Sequence, residues 1–349
     1  MVQEQAVRTI SYVQAVNEAL RQEMERDSKI FIMGEDIAGA PGRPGKEDAW
    51  GGPFRLTKGL IGQFGEDRIR DTPISEAGFI GAGVGAAATG MRPVVDLMFS
   101  GFFGVCGDQI MNNAAKMHYM FGGKVKIPLT IMTSIGAGTN SAAQHSETLY
   151  SIFAHFPGLK CVVPSDPYTA KGLFVSAIRD EGPVIIFNHK LIMGRGPNPG
   201  LGSGAHVPED PYEIPIGKAN VSIEGSDITL IGTGYTTLLC KEAAGLLDAE
   251  GYSAEVIDLL SVSPIDEETI LESVKKTRKV LIVDEDYPRC SVAGDISALV
   301  AEQAFDYLDA PPKRLSSPHT QVPYSRVLEE LYLPTKETVL DAAMVVLEE

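Results

Sequence analysis

The stretch DTPISEAGFIGAGVGAAATGMRPVVDLMF, residues 71–99, sets one carboxylate, Glu76, in front of a tract nearly free of polar side chains. Its last eight residues, RPVVDLMF, read as a β-strand. The small-sided tract before them reads as a helix that starts at Glu76, with Ser75 where an N-cap is expected. Gly81, Gly83, Gly85 and Gly90 would each cost about 1 kcal/mol against Ala in a helix interior. Four such residues imply that another backbone, or a ligand, comes close. Glu76 then has two readings. As a first-turn acid it gains about 0.3–1 kcal/mol from the helix dipole. As a group facing a dry, close-packed wall, it can share a proton with a ligand nitrogen.

The same alternation continues outward. Thr9 is placed to cap a helix running to about Arg26, followed by the strand KIFIMG. GVCGDQIMNNAAKMHYM reads as a helix with a small apolar stripe. IPLTIMTS, LKCVVPS and PVIIFNH read as strands, with the helix DPYTAKGLFVSAIRD between the last two. Strands alternating with helices argue for parallel α/β layering. Residues 194–218 are dense in Gly and Pro and read as a linker between a first domain, 1–193, and a second, 219–349. The second repeats the α/β rhythm on a smaller scale: DITLIGTG, TTLLCKEAAGLLDAEG, SAEVIDLLSV, DEETILESVKKT, KVLIVDED, VAGDISALVAEQAF.

The 349 residues carry a formal net charge of −16. That disfavours nucleic acid and anionic membrane, both polyanions, and favours a basic protein partner. No signal peptide or membrane-spanning run is evident, and Cys106, Cys161, Cys240 and Cys290 are widely spaced without metal-ligand pattern. A cytoplasmic protein with buried, reduced thiols is expected. His145 lies in a polar loop after a strand, without obvious apolar neighbours, and is either an inert histidine or a proton carrier. His155, ahead of Phe156 and Pro157, is placed to cap a helix end. His118 reads as structural. Gly232 and Gly234 follow a strand, but Thr237 stands where the third glycine of a dinucleotide fingerprint belongs. There is neither a phosphate-loop lysine motif nor a GxSxG elbow.

Four segments together resemble one family: residues 71–99, DQIMNNAAKMHYMFGG, AAQHSETLYSIFAHFPGLKCVVPSDPYTAKGLFVSAIRD and PVIIFNHK. This is the family of beta subunits of thiamine diphosphate-dependent dehydrogenase components of 2-oxo acid and acetoin dehydrogenase complexes. The resemblance runs from about residue 8 to 345. DAWGG, TKGL, GVCGDQI and YMFGGK are most similar to the acetoin dehydrogenases, with pyruvate and branched-chain 2-oxo acid dehydrogenases as alternatives. It implies a transketolase-like fold, a parallel-sheet pyrimidine-binding domain followed by a smaller C-terminal α/β domain. It further implies that Glu76 hydrogen-bonds N1′ of the thiamine pyrimidine, that Phe102 stacks on that ring and Ile74 lies against it, and that His145 handles protons during acyl transfer to lipoamide. A structural K⁺ site is implied at the carbonyls of Leu129, Ala177, Ile178 and Gly182 and the side chain of Asp180. The GDG motif that holds diphosphate through Mg²⁺ is missing. An alpha subunit is therefore expected to supply it, in a heterotetramer of two alpha and two beta chains.

Two rivals remain at the level of sequence. One is a scaffold subunit that keeps the fold without the chemistry; the other is a stand-alone transketolase-like half such as a deoxyxylulose-phosphate synthase fragment. The family's lipoyl acyltransferase is the expected basic partner. VDEDYP (283–288), FDYLDAPP (305–312) and the terminal VVLEE supply the acidic surface for docking, with Asp309, Glu348 and Glu349 foremost.

Overall fold

The computed structural model describes residues 8–38, 51–194 and 205–349. Residues 48–50 of the DAWGG motif and 195–204 of the Gly/Pro-rich stretch lie outside the described residues. Twelve strands are described: β1 (Ile30–Gly34), β2 (Ile69–Asp71), β3 (Arg92–Phe99), β4 (Thr130–Ile135), β5 (Lys160–Val162), β6 (Val184–His189), β7 (Asn220–Ile223), β8 (Ile228–Gly232), β9 (Ala254–Asp258), β10 (Ser261–Ser263), β11 (Val280–Asp284) and β12 (Lys313–Ser316). They form two sheets. The first has the order β10-β5-β6-β4-β3-β1-β2 and the second β12-β11-β8-β9-β7. All pairings are parallel except β10 with β5 and β7 with β9.

Fully buried strands explain the continuous apolar runs. β1, β4 and β6 have no exposed residue, as expected for a parallel sheet covered on both faces. One face is covered by helices Tyr12–Arg26 and Pro167–Arg179, which join the cluster around Ile30, Ile32 and Val184. Ser11, not Thr9, caps the first of these helices. Its hydroxyl accepts from the Gln14 N–H while its own N–H donates to Gln14 Oε1, a reciprocal pair that Thr9 is two residues too early to form. Thr9 instead bridges to His206. The described part of the Gly/Pro-rich stretch is no free tether. Val207 is fully buried, and the buried Lys171 ammonium binds the carbonyls of Pro208 and Glu209 and the Glu18 carboxylate.

On the other face lies helix Glu76–Ala88. A Cβ on Gly83 would stand 2.8 Å from Val95 Cγ2, so this glycine lets the helix settle onto β3. Gly90 lies past the helix end at φ +96°, a turn position. Ser75 sits at the N-cap position, but its side chain makes no capping bond. The expected single helix after Phe102 is broken: α-helix at Phe103–Asp108, a π-helical turn at Gln109–Ala114, and a short α-helix at Met117–Met120. No residue of that last piece is buried, and it carries His118, whose ring Nδ1 contacts the Val125 carbonyl at 2.7 Å.

SAEVIDLLSV splits between the two sheets. Its first part is β9, between β8 and β7 in the second sheet; its last part is β10, which crosses to the edge of the first. Among the described residues no helix is long and apolar enough to cross a membrane.

Candidate active site

The parallel sheet fixes where chemistry can occur. In open α/β sheets, ligands bind beyond the carboxyl ends of the strands, because the loops there converge. Glu76 follows β2, Phe102 follows β3, His145 follows β4 and Lys190 follows β6. Every one of them is therefore at the carboxyl edge.

Glu76 is 7 % exposed, and no described residue donates a hydrogen bond to its carboxylate. Its charge is felt nearby. Burial and then Glu76 push the Cys106 thiol up to about 12, and burial, Glu76 and Asp36 raise the Glu35 carboxyl. Cys106 donates to the Phe102 carbonyl at 3.5 Å, which links Glu76 to the aromatic part of the site. Asp96 is a further buried acid here. Burial pushes it up to about 7, although it accepts from the Met98 N–H at 2.8 Å.

His145 has the apolar neighbours that its loop sequence hides. Its ring meets Phe99 edge-on at 4.3 Å between centroids and Phe102 at 5.7 Å, and Phe99 meets Phe102 at 5.5 Å. Burial and then the Lys190 charge hold the imidazole below its ordinary value. Ser100 ties the two loops, donating to the Glu147 carbonyl at 2.9 Å.

The family model for the transketolase pyrimidine-binding domain matches residues 8–194, and that for the transketolase C-terminal domain matches 217–339. The chain is 48 % identical over 344 residues to the acetoin:2,6-dichlorophenolindophenol oxidoreductase subunit beta of Bacillus subtilis (strain 168), covering 98 % of each chain. This chain belongs to the beta-subunit family of thiamine diphosphate-dependent 2-oxo acid and acetoin dehydrogenases. The 2-oxoisovalerate dehydrogenase subunit beta of the same organism is 42 % identical, with 96 % of this chain and 97 % of that one covered. Among solved structures, a split-gene transketolase chain from an inactive beta4 tetramer shares the fold. Its TM-score is 0.74 at 21 % identity, over 98 % of this chain and 99 % of that one.

For a thiamine-dependent beta subunit, the residues fit the pyrimidine half of the cofactor. A buried residue whose carboxylate has no hydrogen-bond partner among the described residues leaves an acceptor open for a ring nitrogen, and the half-buried Phe102 ring lies at the same carboxyl edge of the sheet. Ile74, beside Glu76, is 84 % exposed and projects from this chain. The expected K⁺ donors fit less well. The carbonyls of Ile178 and Asp180 meet at one point, and Arg92 Nη1 already stands there at 3.1 and 2.9 Å. The Asp180 carboxylate accepts from the Gly182 N–H at 2.8 Å and from Lys160 at 2.5 Å. The Leu129 and Ala177 carbonyls accept from the N–H groups of Val184 and Asp180. As arranged, two cationic side chains, Arg92 and Lys160, share these donors.

Other expectations change in the structure. Asp284, Glu285 and Asp286 of VDEDYP are buried, not part of an acidic surface. Tyr150 donates to Asp284, and Glu285 bonds His189 at 2.6 Å. Cys290 is exposed, unlike the other three cysteines. His155 does stand at the C-cap of helix Tyr150–Ala154, its backbone N–H donating to the Ser151 and Phe153 carbonyls while its ring meets Phe156. Gly232 serves a tight strand-to-helix turn, since a Cβ there would stand 2.5 Å from Thr237 Cα. The sequence reading missed Phe99, Glu35, Asp96 and Lys190. Only the position of each at or near a strand's carboxyl end was available as a signal.

Proposed function

We propose that this chain supplies the pyrimidine side of a composite site that oxidises acetoin and passes the acyl group to lipoamide. The single observation that carries the reading is Glu76, a buried residue whose carboxylate has no hydrogen-bond partner among the described residues. The higher identity to the acetoin enzyme than to the 2-oxoisovalerate enzyme of one organism supports acetoin over a branched 2-oxo acid.

Thiamine diphosphate supplies, when bound, a nucleophilic carbon for the substrate carbonyl. Glu76 would hold the cofactor by a hydrogen bond at N1′ of its pyrimidine. Phe102 would stack on that ring, and Ile74 would lie against it. His145 exchanges a proton with the lipoyl sulfur at transfer, and its lowered basicity suits a group that must both take and release one. The missing GDG motif supports an alpha chain as holder of the diphosphate and Mg²⁺, in a heterotetramer of two alpha and two beta chains. Exposed Tyr119, Met120 and Phe121 offer apolar area for such a neighbour. Docking of the lipoyl acyltransferase falls to Glu348, Glu349 and Asp309, the last already paired with Arg278 at 2.6 Å.

The test is a substrate panel on the co-purified alpha–beta complex, with dye reduction by acetoin, pyruvate and branched 2-oxo acids compared. Acetoin is expected to give the highest kcat/KM. A higher value for pyruvate or a branched 2-oxo acid would reassign the substrate. The isolated beta chain is expected to show negligible Mg²⁺-dependent thiamine diphosphate binding by calorimetry; tight binding would refute the composite site.

A further inference from the structure

Residues 136–147 join β4 to the His145 turn and are under strain. Asn140 and Ala142 hold φ of +53° and +56°, backbone that side-chain-bearing residues adopt only when their surroundings enforce it. The enforcing contacts come from the C-terminal domain. Glu285, just after β11, accepts from the Ala137 N–H at 2.7 Å. Glu329, in helix Arg326–Tyr332, accepts from the Gly138 and Asn140 N–H groups at 2.7 and 2.8 Å. Gly136 allows the loop to pass over His189, whose Nε2 lies 2.0 Å from where a Cβ would be. His189 Nδ1 accepts from the Leu191 N–H, so Nε2 carries the proton and donates to Glu285.

Those contacts hold the first half of the loop. Its second half, which carries His145, is held at Glu147 by the Ser100 hydroxyl and at His145 and Ser146 by one buried cation. Lys190 is 2 % exposed. Its ammonium donates to the His145 carbonyl and to the Ser146 hydroxyl (3.1 Å), and lies 5.9 Å from the Phe99 ring centroid. Phe99 is also the ring that packs closest on His145. One cation thus holds both the backbone and the aromatic wall of the histidine.

We propose that Lys190 is the positioning residue of this site: it fixes where the His145 imidazole stands and carries that placement from the C-terminal domain to the transfer step. The role rests on the reading of His145 given above. A buried ammonium suits this position because its N–H groups reach a carbonyl and a hydroxyl with charge-assisted bonds, which an apolar side chain of the same length cannot make. Burial brings Lys190 down to about 8, opposed by Glu285 and Glu329. The charged groups facing it are those two carboxylates and, from the loop, His145, with His189 bonded to Glu285 and Tyr235 stacked on His189. Deprotonation of Lys190 leaves two N–H groups for its two acceptors but removes the charge that strengthens both bonds, so the placement weakens as pH rises through about 8.

The experiment compares wild type with Lys190→Met in the alpha–beta complex. Lipoyl acylation and dye reduction are followed from pH 6 to 9, and the His145 ring is titrated by NMR in ¹³C-histidine-labelled protein. Lys190→Met is expected to raise the His145 titration midpoint. It should also lower the ratio of lipoyl acylation to dye reduction by about tenfold to a hundredfold, the scale of a misplaced group. The decline in acylation above about pH 8 should vanish with it. An unmoved His145 titration with an unchanged rate ratio would overturn the proposal. If Lys190→Met does not assemble, Ser146→Ala removes one of the two contacts and is expected to lower the same ratio several-fold; an unchanged ratio there would overturn it equally. The titration reads the contact without any turnover, so a wild-type enzyme that failed to acylate lipoamide would count against the functional reading alone.

Discussion

Glu76 and Glu285 are both buried carboxylates, 7 % and 4 % exposed, and both stand beyond the carboxyl end of a parallel strand. One has no hydrogen-bond partner among the described residues; the other binds the Ala137 N–H and the His189 ring N–H. Burial alone therefore does not separate a scaffold acid from a ligand-facing one. The separation comes from what each would leave behind. Removing Glu285 strands two donors, whereas removing Glu76 strands none among the described residues.

The largest effect follows from Glu76. Glu76→Gln keeps the shape but cannot act as the anionic acceptor, and turnover is expected to fall on the order of a hundredfold or more. The melting temperature and assembly with the alpha chain should stay as they are. Near-normal turnover in steady-state assays would return Glu76 to a plain first-turn acid. Glu285→Ala is expected to do the reverse. Two buried donors lose their acceptor, and stability should fall by about 2 kcal/mol, measured by calorimetry; an unchanged unfolding transition would remove Glu285 from the scaffold.

His145 lies between these cases, half-buried and packed on two phenyl rings. His145→Ala is expected to slow lipoyl acylation relative to dye reduction on the order of a hundredfold, the low side of an acid–base contribution. Equal losses in the two assays would move its role to an earlier step.

The smallest effect concerns a buried acid whose partners are neutral hydroxyls. Asp258 accepts from Ser165 and from Thr237 (3.1 Å), yet burial still raises it to about 6 from its ordinary 3.8. A raised carboxyl is protonated more readily in the folded state, so its contribution favours folding at low pH and is lost as pH rises from about 4 through about 6. Asp258→Asn should accordingly leave the melting temperature unchanged near pH 4 and raise it by a few degrees at pH 8. A mutant that melts lower at both values would show that the hydroxyls need the anion.

The sequence made the strand runs legible because burial on both faces leaves continuous apolar segments, and it made Glu76 legible because one acid interrupts such a run. It hid everything set by distant contacts. His145 looked isolated because Phe99 is 46 positions away and reaches it only through the sheet. VDEDYP looked like surface because its partners, Tyr150, Ser151 and His189, belong to the other domain. The helix start moved from Thr9 to Ser11 because capping needs a partner three residues on, and Gln14 fits only Ser11. Likewise, the π-helical turn at Gln109–Ala114 has no signature in apolar spacing.

The crossing of β10 has a consequence for how this molecule can be cut. β10 comes from the second domain but covers the outer edge of the first sheet at β5, pairing Ser261 with Val162 and Ser263 with Cys161. A fragment ending before residue 219 would expose the backbone groups of β5, beside the fully buried β6, to any extended chain nearby. Such an uncovered edge is a template for self-association. The first domain expressed alone is thus a poor candidate for a soluble unit, and a fragment for separate study should extend past Ser263.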